Sequence, residues 1–291
     1  EYRRPKKLVV GDFNEDGVQD IAAATVTDDG SSMGIGVLLS DGRGGLAFKI
    51  PYFSDQDSTL RSWVAFDVND DGHLDIVAAQ DLTDYSRGAE CGTGQPTCPR
   101  YHVLYGDGKG SFATGGVVMI GLPHRVFQLE AVDLNDDGRK DLVALLGGGF
   151  HHALDDPGTT QVAYALPGGG LSKMVELHTG SGVAGGNIVF ADLNADGISD
   201  SFMSKNDQHY YAELRIRSLQ NTYVSPLYLW SYPLLPSLAL AEDFDGDRRA
   251  DIVMSQLRPA GGGYEIMVGY YRQVNGELPP PVFTTLSYQP S

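Results

Sequence analysis

Two cysteines in 291 residues, no long apolar run and a shortage of basic side chains set the first limits on this chain. A membrane helix needs about 18 or more consecutive apolar residues, and no stretch provides them, so membrane insertion is not expected. With 21 lysines and arginines against 38 aspartates and glutamates, the formal net charge is -17. A phosphate backbone would be repelled by most of such a surface, which removes nucleic acid as an expected partner. The chain has no H-E-x-x-H pair and no setting for a cysteine nucleophile. No segment carries a 3.6-residue apolar stripe, so helices are not expected either.

What is present suits a secreted protein made of strands. Hydrophobic residues make up 42% of the chain, enough for a sizeable core, and 37 glycines and 15 tyrosines fit strands joined by tight turns. Cys91 and Cys98 flank a Gly-, Thr- and Pro-rich loop, CGTGQPTC, whose spacing suits a small local disulfide. That favours an oxidising compartment, with an extracellular, cell-surface or periplasmic location as the expectation.

The decisive signal is an internal repeat. GDFNEDGVQDI, FDVNDDGHLDI, VDLNDDGRKDL, ADLNADGISDS and EDFDGDRRADI share the pattern D-x-[DN]-x-D-G-x-x-D, starting at Asp12, Asp67, Asp133, Asp192 and Asp243. Each copy lies between two short β-branched runs, such as KLVVGDF and IAAATV. Two further runs follow in each unit, so a unit reads as four short antiparallel strands. We therefore expect an all-β propeller of five blades within a single domain, 1–291, the blades spanning roughly 5–60, 61–123, 124–185, 186–236 and 237–291. Part of a seven-bladed ring is the alternative.

Oxygen donors at loop positions 1, 3, 5 and 9, with the carbonyl of position 7, are the chemistry of a hard cation such as Ca²⁺. The predicted ligand sets are Asp12, Asn14, Asp16, Val18 and Asp20; Asp67, Asn69, Asp71, His73 and Asp75; and Asp133, Asn135, Asp137, Arg139 and Asp141. The last two are Asp192, Asn194, Asp196, Ile198 and Asp200; and Asp243, Asp245, Asp247, Arg249 and Asp251. Three or four carboxylates within nine residues repel one another, and five recurrences are not explained by ordinary acidic turns. Up to five structural Ca²⁺ ions would bring the charge from -17 to -7. The fifth loop carries Arg248 where the others have Gly17, Gly72, Gly138 and Gly197, so it is expected to hold metal most weakly.

These residues resemble the FG-GAP/VCBS repeat family, the calcium-loop propeller blades of integrin α-subunits and many secreted proteins. The resemblance extends over the whole chain and implies a scaffold for adhesion or for sugar and protein recognition, with calcium supporting the blades.

A ligand is expected on the variable loops facing away from the acidic ones, with Tyr85, Arg87, His124, Arg125, His152 and Tyr232 as candidates. His151, His152, Asp155 and Asp156 suit a solvated polar loop better than a metal site, and Trp63 and Trp230 suit core packing better than sugar stacking. The functional expectation is a non-catalytic module for a glycan or an extracellular protein. The competing reading is a carbohydrate-processing lyase or hydrolase with its site on the variable-loop face.

Overall fold

The structure, a computed structural model, describes residues 7–26, 33–53, 58–82, 100–119, 125–147, 159–179, 187–206, 210–215, 227–232, 236–260, 263–275, 277–279 and 281–286. Within them the chain is all-β. The first sheet comprises β1 (Leu8–Gly11), β2 (Asp20–Val26), β3 (Met33–Ser40) and β4 (Leu46–Phe53). In the second, β5 (Ser58–Phe66), β6 (Asp75–Leu82), β7 (Arg100–Gly106) and β8 (Phe112–Met119) pair in order. The third contains β9 (Arg125–Val132), β10 (Asp141–Gly147), β11 (Thr159–Ala163) and β12 (Val175–Thr179). In the fourth are β13 (Ile188–Ala191), β14 (Asp200–Asn206), β15 (Tyr210–Arg215) and β16 (Leu227–Tyr232). The fifth comprises β17 (Pro236–Glu242), β18 (Asp251–Ala260), β19 (Gly263–Tyr271) and β20 (Val282–Leu286).

Every sheet is an antiparallel meander, each strand paired with its sequence neighbour, as expected where short turns join alternating strands. The second sheet begins at Ser58, slightly before the boundary at 61 read from the repeat.

The buried side chains explain how the sheets are arranged. Ile76, Val77, Ala78 and Ala79 are consecutive on β6 and all fully buried, so this sheet is covered on both faces. One of its faces joins Trp63, Ile76, Ala78 and Leu104 to Ile35 and Val37 of the first sheet. The other joins Val64, Val77 and Val103 to Leu129, Leu142 and Ala144 of the third. Further clusters lie between the third and fourth sheets (Leu145, Ile188, Met203) and between the fourth and fifth (Phe202, Ile252, Tyr271). The core is thus a series of seams between consecutive sheets, the packing of a β-propeller.

The first strands of successive sheets lie against one another, with β5 against β1, β9 against β5, β13 against β9 and β17 against β13. Polar side chains stitch them together. Leu129 N–H donates to Ser62 Oγ at 3.0 Å, Ile188 N–H to Gln128 Oε1 at 3.0 Å, and Ala239 N–H to Asn187 Oδ1 at 3.0 Å. Lys7 Nζ reaches across to the Leu129 carbonyl at 2.8 Å.

Candidate functional site

The repeated acidic segment forms the turn between the first and second strand of every sheet, and its shape is set by its own side chains. In the first loop Asp12 accepts the N–H groups of Asp16 (3.2 Å) and Gly17 (2.9 Å). Asn14 Oδ1 accepts the Asp16 N–H at 3.1 Å while its amide donates to Asp16 Oδ2 at 3.0 Å, and Asp16 Oδ1 accepts the Val18 N–H at 2.8 Å. The same bonds recur around Asp67, Asp133 and Asp192. Backbone N–H donation holds the position-5 carboxyls of Asp71 and Asp137 below the usual carboxylate range, chiefly through the N–H groups of His73 and Arg139. Positions 1, 3 and 5 are thereby ordered as charged or polar oxygen donors at one exposed tip.

Position 9 does different work. Asp20, Asp75, Asp141, Asp200 and Asp251 are all fully buried at the start of the second strand. In the first four loops one oxygen accepts the position-2 N–H, from Phe13, Val68, Leu134 or Leu193, at 2.9–3.1 Å. The other oxygen of Asp20, Asp75 and Asp141 accepts an N–H at or just beyond the end of the third strand: Ser40 at 2.7 Å, Gly106 at 2.8 Å and Ala165 at 2.8 Å. This aspartate therefore bridges the loop to the third strand. Burial pushes the carboxyls of Asp75 and Asp141 up.

Two residues per loop lie in the left-handed region. In the first four they are position 4 (Glu15, Asp70, Asp136, Ala195) and the position-6 glycine. In the fifth, position 4 is Gly246 at φ 82° and position 6 is Arg248 at φ 68°. The glycine has changed places, so each loop still has one glycine and one non-glycine residue at positive φ. Backbone strain therefore does not single out the fifth loop, contrary to the expectation drawn from Arg248 alone. The exchange could have been read from the sequence, since Gly246 is visible there.

The fifth loop differs in other ways. Asp251 Oδ2 accepts the Tyr270 hydroxyl at 2.6 Å, and Oδ1 accepts the Gln273 N–H at 2.8 Å. Burial and the bond to Asp251 push the Tyr270 hydroxyl up to about 12. Oxygens of Asp243, Asp245 and Asp247 lie within 4.8 Å of one another, a cluster that could hold a metal ion and that does not include Asp251. Arg272 lies on this cluster, its Nε 2.5 Å from Asp245 Oδ2 and an Nη 4.0 Å from Asp247 Oδ2. In the third loop Arg139 Nη2 likewise donates to Asp137 Oδ2 at 2.7 Å. The donor set, hard oxygens on a preformed turn, fits a divalent ion of the Ca²⁺ type. Arg139 and Arg272 would compete with it in two of the loops.

Among the described residues, three of the five loops also touch the sheet that follows. Gly110 N–H donates to the Phe13 carbonyl at 2.9 Å, Gly170 N–H to the Val68 carbonyl at 2.7 Å, and Gln273 Nε2 to the Asp192 carbonyl at 3.1 Å. His73 Nδ1 and Glu15 Oε1 pair between the second and first loops. A Cβ on Gly169 would lie 2.2 Å from the Asn69 carbonyl oxygen, so this close backbone approach requires glycine.

Trp63 is fully buried between the first two sheets, as core packing predicts. Arg125 and Tyr232 stand at the start of β9 and the end of β16, with only their backbone described. Tyr85, Arg87, His124, His151, His152, Asp155, Asp156, Cys91 and Cys98 lie outside the described residues, as does the Trp230 side chain.

No curated protein matches the chain by sequence. Among solved structures, the K499G mutant of NanB sialidase from Streptococcus pneumoniae is similar at 10% identity and a TM-score of 0.54, over 96% of this chain and 61% of that one. The rhamnogalacturonan lyase YesW shares 13% identity at a TM-score of 0.48, over 94% of this chain and 50% of that one. A Bacillus licheniformis rhamnogalacturonan lyase, PL11, shares 15% at 0.49, over 96% and 50%. This chain thus spans between half and about three-fifths of the length of these structures, and at 10% identity the likeness to the sialidase is one of fold. Residues 12–78, which include the first two acidic loops, match the family model of the FG-GAP-like repeat, and the chain carries that repeat there.

Proposed function

We propose that this protein is a secreted or cell-surface calcium-binding propeller of five blades that serves as a recognition module for a glycan or an extracellular protein. The observation that carries this reading is the equivalence of the acidic loops. The same hydrogen-bonded turn occupies the same strand junction in all five sheets. A metal repeated in every blade supports the scaffold, whereas catalysis calls for one distinctive centre. Positions 1, 3 and 5, the carbonyl of position 7 and the position-9 carboxylate would supply its ligands. Recognition would fall to the variable loops that include Tyr85, Arg87, His124 and His152, with Cys91 and Cys98 bridged.

At an affinity of about 0.1 mM and about 2 mM free calcium, each ion stabilises the fold by roughly 1.8 kcal/mol. Excess EGTA should therefore lower the melting temperature by about ten degrees or more. An unchanged melting curve would refute structural calcium. A glycan array followed by turnover assays on its hits tests the recognition role. Binding without product supports it. Product formation would favour the second reading, a carbohydrate-processing enzyme, to which the likeness to a sialidase gives some support.

A further inference from the structure

The fifth acidic loop differs from the others in what its third strand brings to it. Register identifies the equivalent residues. Ile21, Ile76, Leu142 and Ile252, each just after a position-9 aspartate, pair with Leu38, Leu104, Ala163 and Tyr271 on the third strands. The next residue along is Leu39, Tyr105 or Tyr164 in the first three sheets, and each packs against the apolar core. In the fifth sheet that residue is Arg272. The residue after it, Ser40, Gly106, Ala165 or Gln273, donates its N–H to the position-9 carboxylate in all four sheets, which confirms the equivalence.

A side chain that serves packing elsewhere is thus a guanidinium here, and it lies on the acidic tip. Its Nε is 2.5 Å from Asp245 Oδ2 and an Nη 4.0 Å from Asp247 Oδ2. Tyr270 adds a second tie from the same strand. Asp251 Oδ2 accepts its hydroxyl at 2.6 Å, whereas the matching oxygen in the other four loops accepts the position-2 N–H. All these contacts lie within single sheets. In the third loop Arg139 bonds Asp137, two residues away in the same turn, so it ties that loop to itself and not to another strand.

Charge follows the same division, because crowded carboxylates repel unless a cation joins them. Residues 243–251 include four aspartates and two arginines, and Arg272 adds a third guanidinium. The first, second and fourth loops, residues 12–20, 67–75 and 192–200, contain no lysine or arginine.

On the calcium reading of the other loops, we propose that Arg272 is the built-in cation of the fifth loop. Its guanidinium does there what a divalent ion does in the first, second and fourth, so the fifth loop is ordered without metal and calcium enters it by displacing Arg272. A guanidinium is permanently charged and tethered to the chain, so it is present at every calcium concentration. One blade therefore keeps its loop formed when calcium is withdrawn from the rest.

Amide hydrogen exchange of the full chain, in EGTA and at about 1 mM calcium, tests this. At an affinity of about 0.1 mM, calcium should slow exchange in the first, second and fourth loops about tenfold, and in residues 243–251 by no more than about fourfold. Arg272→Gln should speed exchange of residues 243–251 in EGTA about two- to fivefold, the scale of an exposed ion pair, and raise that loop's response to calcium to about tenfold. Asp245→Asn removes the same pair from the other side. It should give the same acceleration in EGTA, with no further gain in the double variant. A parent chain whose fifth loop responds to calcium as fully as the other three, or a fifth loop indifferent to Arg272→Gln, would overturn the proposal and leave the calcium reading intact. If no loop responds to calcium, the calcium reading fails and the proposal fails with it.

Discussion

Gly170 donates its backbone N–H to the carbonyl of Val68 at 2.7 Å, linking the acidic loop of the second sheet to a turn of the third. Val68 is also the residue whose own N–H is held by Asp75, at 2.9 Å. One buried carboxylate thus holds the residue on whose carbonyl the next sheet rests. Loop order and sheet packing are coupled at this point.

Replacing Asp75 by Ala would leave the N–H groups of Val68 and Gly106 without their carboxylate partner. We expect a loss of about 2–5 kcal/mol, read by chemical denaturation in EGTA so that metal does not contribute. The exposed Asp71 offers a contrast, and Asp71→Ala should cost much less in EGTA while weakening calcium binding.

The glycine exchange in the fifth loop makes a paired prediction. Gly246→Ala places a side chain at φ 82° in otherwise open space and should cost about 1 kcal/mol. Arg248→Gly should be neutral or gain up to about 1 kcal/mol, and equilibrium unfolding of both variants checks the signs.

Arg272 holds the carboxylates that a cation would bind, so Arg272→Gln should raise the calcium affinity of the fifth loop about three- to tenfold. The converse change, Val18→Arg, places in the first loop the side chain that Arg139 provides in the third and should lower affinity there. Calorimetric titration of each variant against the parent measures both.

His73 supplies a pH dependence. Its bond to Glu15 raises its pKa above the ordinary value of 6.5. The stabilisation is therefore complete below about 6.5 and fades as pH rises through the higher folded value. In EGTA, His73→Gln should flatten the decline in melting temperature over that window, and an unchanged slope would show that the pair contributes nothing.

Much of this organisation was legible in the residues. The spacing of Asp12, Asp67, Asp133, Asp192 and Asp243 marked the five strand junctions, and the short β-branched runs around them marked the strands. The partners of position 9 were not legible, because Asp20, Asp75 and Asp141 bond to N–H groups at or just beyond the third strand, 20 to 31 residues away. Arg272 was hidden for the same reason, since it reaches the fifth loop only after β18 and β19 fold back.

By itself the sequence determined the local chemistry: which segments extend, where they turn, and where carboxylates crowd, because these depend on neighbours along the chain. Tertiary structure decided which aspartates are buried latches and which remain exposed donors, and which loops carry their own guanidinium. Those outcomes depend on groups brought together across separate strands and sheets, and no spacing within one repeat encodes them.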